Sequence, residues 1–132
     1  MPAIDKVAWI HIEAGRVLCV RSHGKGAFYL PGGKREPGES DEACVQREVR
    51  EELGVSLRAA TLRAAGTFQA QAHGKPEGTQ VRMACYAADY DGTLRADAEI
   101  AEFAWLAHRD RDRCSPVARI ILDALHRRGE IA

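Results

Sequence analysis

The chain has 132 residues, 45% of them hydrophobic and 29% charged, and its 19 lysines and arginines balance 19 aspartates and glutamates. A length of 1–132 fits one domain with a full core, and a formal net charge of zero leaves no basic excess for a nucleic-acid or membrane-surface binder. No apolar run reaches the roughly 20 residues that cross a bilayer, and "MPAIDKVAWI" is not a charged segment followed by a long apolar core, so neither a span nor a secretory signal is expected.

In chain order, "VAWIHIE" (7–13) and "RVLCVRS" (16–22) are short, apolar and β-branched on either side of Ala14-Gly15, which predicts a hairpin. "HGKGAF" follows as a glycine-rich loop without the spacing of a Walker motif. "FYLPGG" predicts a brief strand ending in a turn. Residues 40–53 predict a helix: Ser40 or Asp41 caps its start, acids fill its first turn, and Gly54 stands where a helix stops. Ala43, Val45, Val49 and Leu53 form its apolar stripe. "SLRAATLRAAGTFQAQA" and "TQVRMACYAADY" predict an antiparallel pair around the polar loop "HGKPEG", and "FAWLA" (103–107) a short strand. "SPVARIILDALHRRG" is an amphipathic helix, with Ser115 as cap, Pro116 in the first turn, and Val117, Ile120, Ile121, Leu122 and Leu125 facing inward. These elements together predict an α/β or α+β sandwich. Cys19, Cys44, Cys85 and Cys114 form no CxxC pair, and neither they nor the five histidines have zinc-ligand spacing. The expectation is four buried thiols in a reducing cytosol.

The first helix carries chemistry as well as packing. Glu48, Glu51 and Glu52 stand at i, i+3 and i+4, so they share a face. On a water-facing side they repel one another by about 0.2–0.5 kcal/mol per pair, whereas a hard divalent cation such as Mg²⁺ or Mn²⁺ turns their oxygens into ligands. Arg47, four residues before Glu51, can hold that carboxylate in place. "PGGK" lets the backbone approach a ligand closely, and Lys34 and Arg35 suit a phosphate chain. Such residues point to metal-assisted hydrolysis of a phosphoanhydride, with a carboxylate taking the proton of water. A solvated acidic face is the structural alternative.

The spacing is more specific than the residue types. Gly33, five residues, Glu39, seven residues, Arg47-Glu48-Val49, one residue, Glu51-Glu52, one residue, then Gly54 and Val55: this stretch, 33–55, resembles the Nudix box of the Nudix hydrolases at every defining position. The resemblance implies a mixed β-sheet sandwiched between α-helices. It also implies Mg²⁺- or Mn²⁺-dependent cleavage of a nucleoside diphosphate linked to another moiety. It assigns Glu48, Glu51 and Glu52 as metal ligands, the Gly33 carbonyl as a further ligand, and Arg47 as the residue orienting a box glutamate. Glu39 and Gly54 support the loop–helix geometry. The general base is either Glu48 or an acid outside the box, where "DAEIAEFAWL" offers Glu99 ahead of Glu102.

Substrate contacts are less legible. Phe28, Tyr29 and Phe68 are candidates to stack on a base, and Arg21, Gln69, Gln71 and His73 to hydrogen-bond it. Against the family's subfamilies, position 70 is alanine where ADP-ribose hydrolases carry proline, and the dinucleotide, NADH and coenzyme A signatures are missing. That leaves a MutT-type (d)NTP pyrophosphatase yielding a monophosphate and pyrophosphate. ADP-ribose, dinucleotide polyphosphate or nucleotide-sugar hydrolysis, and a non-catalytic nucleotide-sensing module, are the alternatives. The expected setting is a cytoplasmic monomer or homodimer whose partner is a small nucleotide, with no nucleic acid and no membrane.

Overall fold

A computed structural model describes residues 3–132. Strands β1 (Ile4–Trp9) and β3 (Arg16–Ser22) organise it, because both are apolar on two faces. Val7 and Trp9 from β1, with Leu18 and Val20 from β3, enter one core; Ala8 with Ile10, and Val17 with Cys19, enter the other. A strand's side chains alternate sides, so a run of this kind must be covered twice. The covers are two helices. Helix α1 (Asp41–Leu53) supplies Cys44, Val45, Val49 and Leu53 to the first core, and α2 (Pro116–Arg127) supplies Val117, Ala118, Ile121, Leu122 and Leu125 to the second.

The remaining strands are β2 (Ile12–Glu13), β4 (Gly32–Gly33), β5 (Ser56–Leu57), β6 (Arg63–Gln71), β7 (Gln80–Ala87), β8 (Tyr90–Asp91) and β9 (Ile100–Leu106). A four-stranded mixed sheet has the order β4-β1-β7-β6, a three-stranded one β2-β3-β9, and β5 pairs with β8. β1 and β7 are parallel, from Ile4 opposite Val81 to Trp9 opposite Tyr86, while β6 and β7 are antiparallel as their alternation predicted. This is the expected mixed sheet between helices. Among the described residues no helix is long and apolar enough to cross a membrane, and all four cysteines are free and buried.

Several local expectations are corrected. The hairpin of 7–13 with 16–22 shrinks to β2 and β3, with Glu13 opposite Arg16. β1 instead joins β7 and β4, since its doubly apolar stretch needs neighbours on both edges and covers on both faces. In "FYLPGG" only Gly32–Gly33 is a strand, while Phe28 and Tyr29 make single bridges to Cys114 and Val20. Cys44 packs inward where Ala43 was expected, Ala43 being exposed. Ile120 is exposed. Ser115 stands at the N-terminus of α2, but its hydroxyl makes no capping bond.

Candidate active site

Helix α1 is fixed at both ends. The Ser40 hydroxyl accepts the Ala43 N–H at 3.1 Å, and Gly54 leaves the helix with a φ of 69°, a left-handed turn that glycine adopts without strain. Between these ends Glu48 and Glu52 meet β4, while Glu51 faces solvent. Glu52 is only 6% exposed, and its Oε1 accepts the Gly32 N–H at 2.9 Å. The solvated acidic face, the structural alternative, therefore does not hold at Glu52, which is buried. Glycines make this possible: a Cβ on Gly32 would overlap the Val7 carbonyl, and one on Gly33 would lie 2.5 Å from Glu48 Oε1.

Arg47 is the hub of the box. Its Nε and one terminal nitrogen donate to the two oxygens of Glu39 at 2.7 and 2.8 Å, a bidentate pair. The other terminal nitrogen donates to Glu48 at 3.1 Å and to Glu51 at 3.4 Å, and Arg47 also reaches the Lys34 carbonyl at 3.1 Å. Glu39 further accepts the Glu36 N–H, and with Arg47 against it its carboxyl falls to about 2. Arg47 and Glu39 thus lock the loop before α1 onto the helix. Glu51 stays at the exposed rim beside Arg47.

The acids behave as a crowded set. Burial pushes Glu48 upward, against the pull of Arg47. Glu52 is pushed up to about 8, first by burial and then by the charges of Glu48, Glu99 and Glu51, with the Gly32 N–H opposing. Glu99 comes from a separate loop docked on the end of α1: the Arg95 N–H donates to the Leu53 carbonyl at 3.0 Å, and the Asp97 N–H to the Glu52 carbonyl at 2.9 Å. Ala98 follows with a φ of 52°. Non-glycine residues seldom take that conformation, and here it precedes the acid that the loop carries to the site.

Of these acids Glu52 and Glu99 stand in the wall of a cleft of about 360 Å³, together with Lys6, Lys34, Tyr29 and His73; Glu48 and Glu51 do not line it. Glu102, the other candidate outside the box, is engaged elsewhere: it pairs with Arg21 at 2.8 Å across β3 and β9. Arg21 also donates to the Lys25 carbonyl at 3.0 Å, so it holds the loop after β3 and does not line the cleft. Arg35 is likewise turned away, onto Asp41 at 2.6 Å and Asp5 at 3.7 Å. Phe28 is a core residue, 3% exposed with Arg113 over its ring, so it is withdrawn as a stacking surface. Tyr29 does line the cleft, edge-on to His73. The Gln71 amide is occupied with its own hairpin loop, accepting the Gly78 N–H and donating to the Pro76 carbonyl. Sequence reasoning missed Lys6, Lys25, Lys75 and Ser115, all in the cleft wall. Isolated residues of these types carry no spacing signal.

The fold and this arrangement meet a match along nearly the whole chain: residues 4–123 match the NUDIX domain family. The chain belongs to the NUDIX domain family. Over 121 residues it is 33% identical to the NAD-capped RNA hydrolase NudC of Mycobacterium bovis, covering 89% of this chain and 37% of that protein. Over 85 residues it is 35% identical to the human 8-oxo-dGDP phosphatase NUDT18, covering 61% of this chain and 24% of that one. The chain thus spans about a quarter to a third of these relatives. The solution structure of the Escherichia coli ORF135 protein, at 27% identity, superposes with a TM-score of 0.73 over 96% of this chain and 92% of its own. A MutT protein of Methanosarcina mazei, 22% identical, shares the fold with a TM-score of 0.77 over 97% and 96%.

Nudix hydrolases generally use a divalent metal, and the donor set of this one suits such an ion. Glu48 and Glu52 are hard oxygen donors seated against glycines, and Glu52 has one N–H as its partner while other acids press on it. A cation relieves that repulsion. Among the described residues no three acids, histidines or cysteines are yet drawn into a ligand shell; Arg47 stands against Glu48 and Glu51.

Proposed function

We propose that this Nudix hydrolase is a (d)NTP pyrophosphatase that uses Mg²⁺ or Mn²⁺ and releases a nucleoside monophosphate and pyrophosphate. The observation that carries this reading is the meeting, in one cleft, of a carboxylate floor and unpaired lysines. Glu48 and Glu52, joined by Glu51 and the Gly33 carbonyl, are the oxygens that would hold the cation. When bound, the ion polarises phosphoryl oxygens and makes water acidic enough to attack near neutral pH.

The chain's own residues do the rest. Arg47 orients Glu48 and opposes the upward push of burial on its carboxyl, while Glu39 keeps Arg47 in place. Lys34, at the end of the glycine turn, neutralises a phosphoryl oxygen. Glu99 makes no ion pair among the described residues and faces the same cleft as Glu52, so it accepts the proton of the attacking water. The relatives named for 8-oxo-dGDP and NAD-capped RNA make a nucleoside diphosphate or a capped nucleotide the second reading.

The test is product-resolved hydrolysis of dNTPs, 8-oxo-dGDP, NADH, ADP-ribose and dinucleotide polyphosphates with each metal, in heavy-oxygen water. Monophosphate and pyrophosphate from a triphosphate, with the label in the monophosphate, support the reading. Turnover confined to a diphosphate or a capped nucleotide transfers the function to the second reading.

A further inference from the structure

The chain contains four lysines, Lys6, Lys25, Lys34 and Lys75, against fifteen arginines. All four lysines line the one cleft that holds Glu52 and Glu99, and no arginine does. The arginines are largely committed to carboxylates: Arg21, Arg35, Arg47, Arg58, Arg82 and Arg111 each pair with an acid. Among the described residues none of the lysines forms an ion pair, although Glu52 and Glu99 share their cleft. The partition follows chemistry. A guanidinium fork suits a fixed carboxylate, whereas a mobile, point-like ammonium suits an anion that arrives, shifts and leaves.

The lysines also crowd one another. Lys6 rises from β1 on the α2 side, half-buried between Ile4 and Ala8. Burial, then the charges of Lys34 and Lys75, pull its ammonium below its ordinary value, with Glu52 and Glu48 opposing. Lys75 sits on the loop between β6 and β7, which the Gln71 amide braces through the carbonyls of Lys75 and Pro76 and the Gly78 N–H. Three ammonium groups gathered without an ion-paired carboxylate repel one another, and an anion with several charges relieves that repulsion.

Resting on the hydrolase reading above, we infer that Lys6 and Lys75 form a subsite for the phosphates beyond the scissile bond, so that the cleft selects substrates ending in a free pyrophosphoryl group over those ending in a ribose or sugar. Water's oxygen bonds to the α-phosphorus and its proton passes to Glu99. The bond from that phosphorus to the bridging oxygen breaks, and pyrophosphate leaves with the electron pair. Negative charge therefore grows on the leaving group, where the two ammonium groups stand ready for it.

The experiment uses Lys6→Met and Lys75→Met, singly and together. Both keep an unbranched apolar stem and remove the ammonium, and melting curves check folding. Each should lower kcat/KM for a nucleoside triphosphate by about tenfold or more, with a clearly smaller loss for any turnover of ADP-ribose. Calorimetric titration with magnesium pyrophosphate gives a readout free of turnover: the wild type binds it, and the double variant binds it at least about tenfold more weakly. Unchanged pyrophosphate affinity in the double variant overturns the subsite, even if triphosphates are hydrolysed. Equal losses for triphosphate and ADP-ribose also overturn it. Failure of every nucleotide to turn over, with pyrophosphate binding lost in the double variant, would remove the hydrolytic reading and keep the subsite.

Discussion

Glu52 is buried by the fold on one side and crowded by other acids on the other, which makes its charge a burden to the metal-free protein. Its folded value of about 8 lies above the ordinary carboxylate value of about 4.3. The folded state therefore holds a proton that the unfolded chain releases, and the stability it contributes is full below about 4.3 and lost as pH rises through about 8. Metal-free Glu52→Gln should accordingly melt at or above the wild type at pH 8.5 and lose that advantage near pH 4. Its turnover should fall by at least about a hundredfold. A divalent ion should raise the melting temperature of the wild type more at pH 8 than at pH 6, because ion and proton compete for one carboxylate; a shift independent of pH would remove Glu52 from the ligand set. Ser115 makes the opposite case. Its hydroxyl is buried without a partner, so Ser115→Ala removes an unmet hydrogen-bonding group and no cap. Thermal unfolding should show it neutral or stabilising by up to about 1 kcal/mol, where loss of a working N-cap would cost about 1 kcal/mol.

At the scale of elements, local signals were legible and distant pairings were not. Ser40, the acids after it and Gly54 delimited α1 within a residue, since capping and left-handed exit are properties of adjacent residues. The β6–β7 pair was likewise readable from its alternation and polar loop. The parallel union of β1 with β7 joins residues more than seventy positions apart, and no local pattern encodes it. The same limit applied to the site. Box spacing picked out Glu48, Glu51 and Glu52 as candidates, whereas the preference for Glu99 over Glu102 had only loose spacing behind it; the distant pairing of Glu102 with Arg21 across β3 and β9 is visible in the structure alone. Ala14-Gly15 did mark a turn, and the structure adds its cost. Both residues have positive φ, 52° and 73°, in a two-residue loop between Glu13 and Arg16. Such a turn favours Asn-Gly, and alanine there is strained. Ala14→Asn should stabilise the protein by about 0.5–1 kcal/mol in denaturant unfolding, with an unchanged m-value. A loss of stability would mean that Ala14 makes contacts that outweigh its backbone strain.

The whole molecule is two cores separated by shared strands, and its cooperativity depends on that sharing. Val7, Trp9, Leu18 and Val20 belong to the α1 core, while Ala8, Ile10, Val17 and Cys19, interleaved with them, belong to the α2 core. Neither core can loosen without moving β1 or β3, each of which is half of the other's wall. The tryptophans make this testable, because both report from the α1 side: Trp9 is fully buried there, its indole N–H donating to the Ala88 carbonyl, and Trp105 packs against the same core. Leu122 is fully buried on the opposite side, under α2. Leu122→Ala leaves a cavity and should cost about 2–5 kcal/mol. If the shared strands couple the cores, tryptophan fluorescence and far-ultraviolet dichroism of this variant will shift to lower denaturant together and remain superimposable. If the α2 core were an independent unit, dichroism would lose amplitude first while the tryptophans kept their native signal. The cleft has walls from both halves, Glu52 from α1 and Val117 from α2. Coincident transitions would therefore mean that the carboxylate floor and the wall facing it persist, and are lost, as one body.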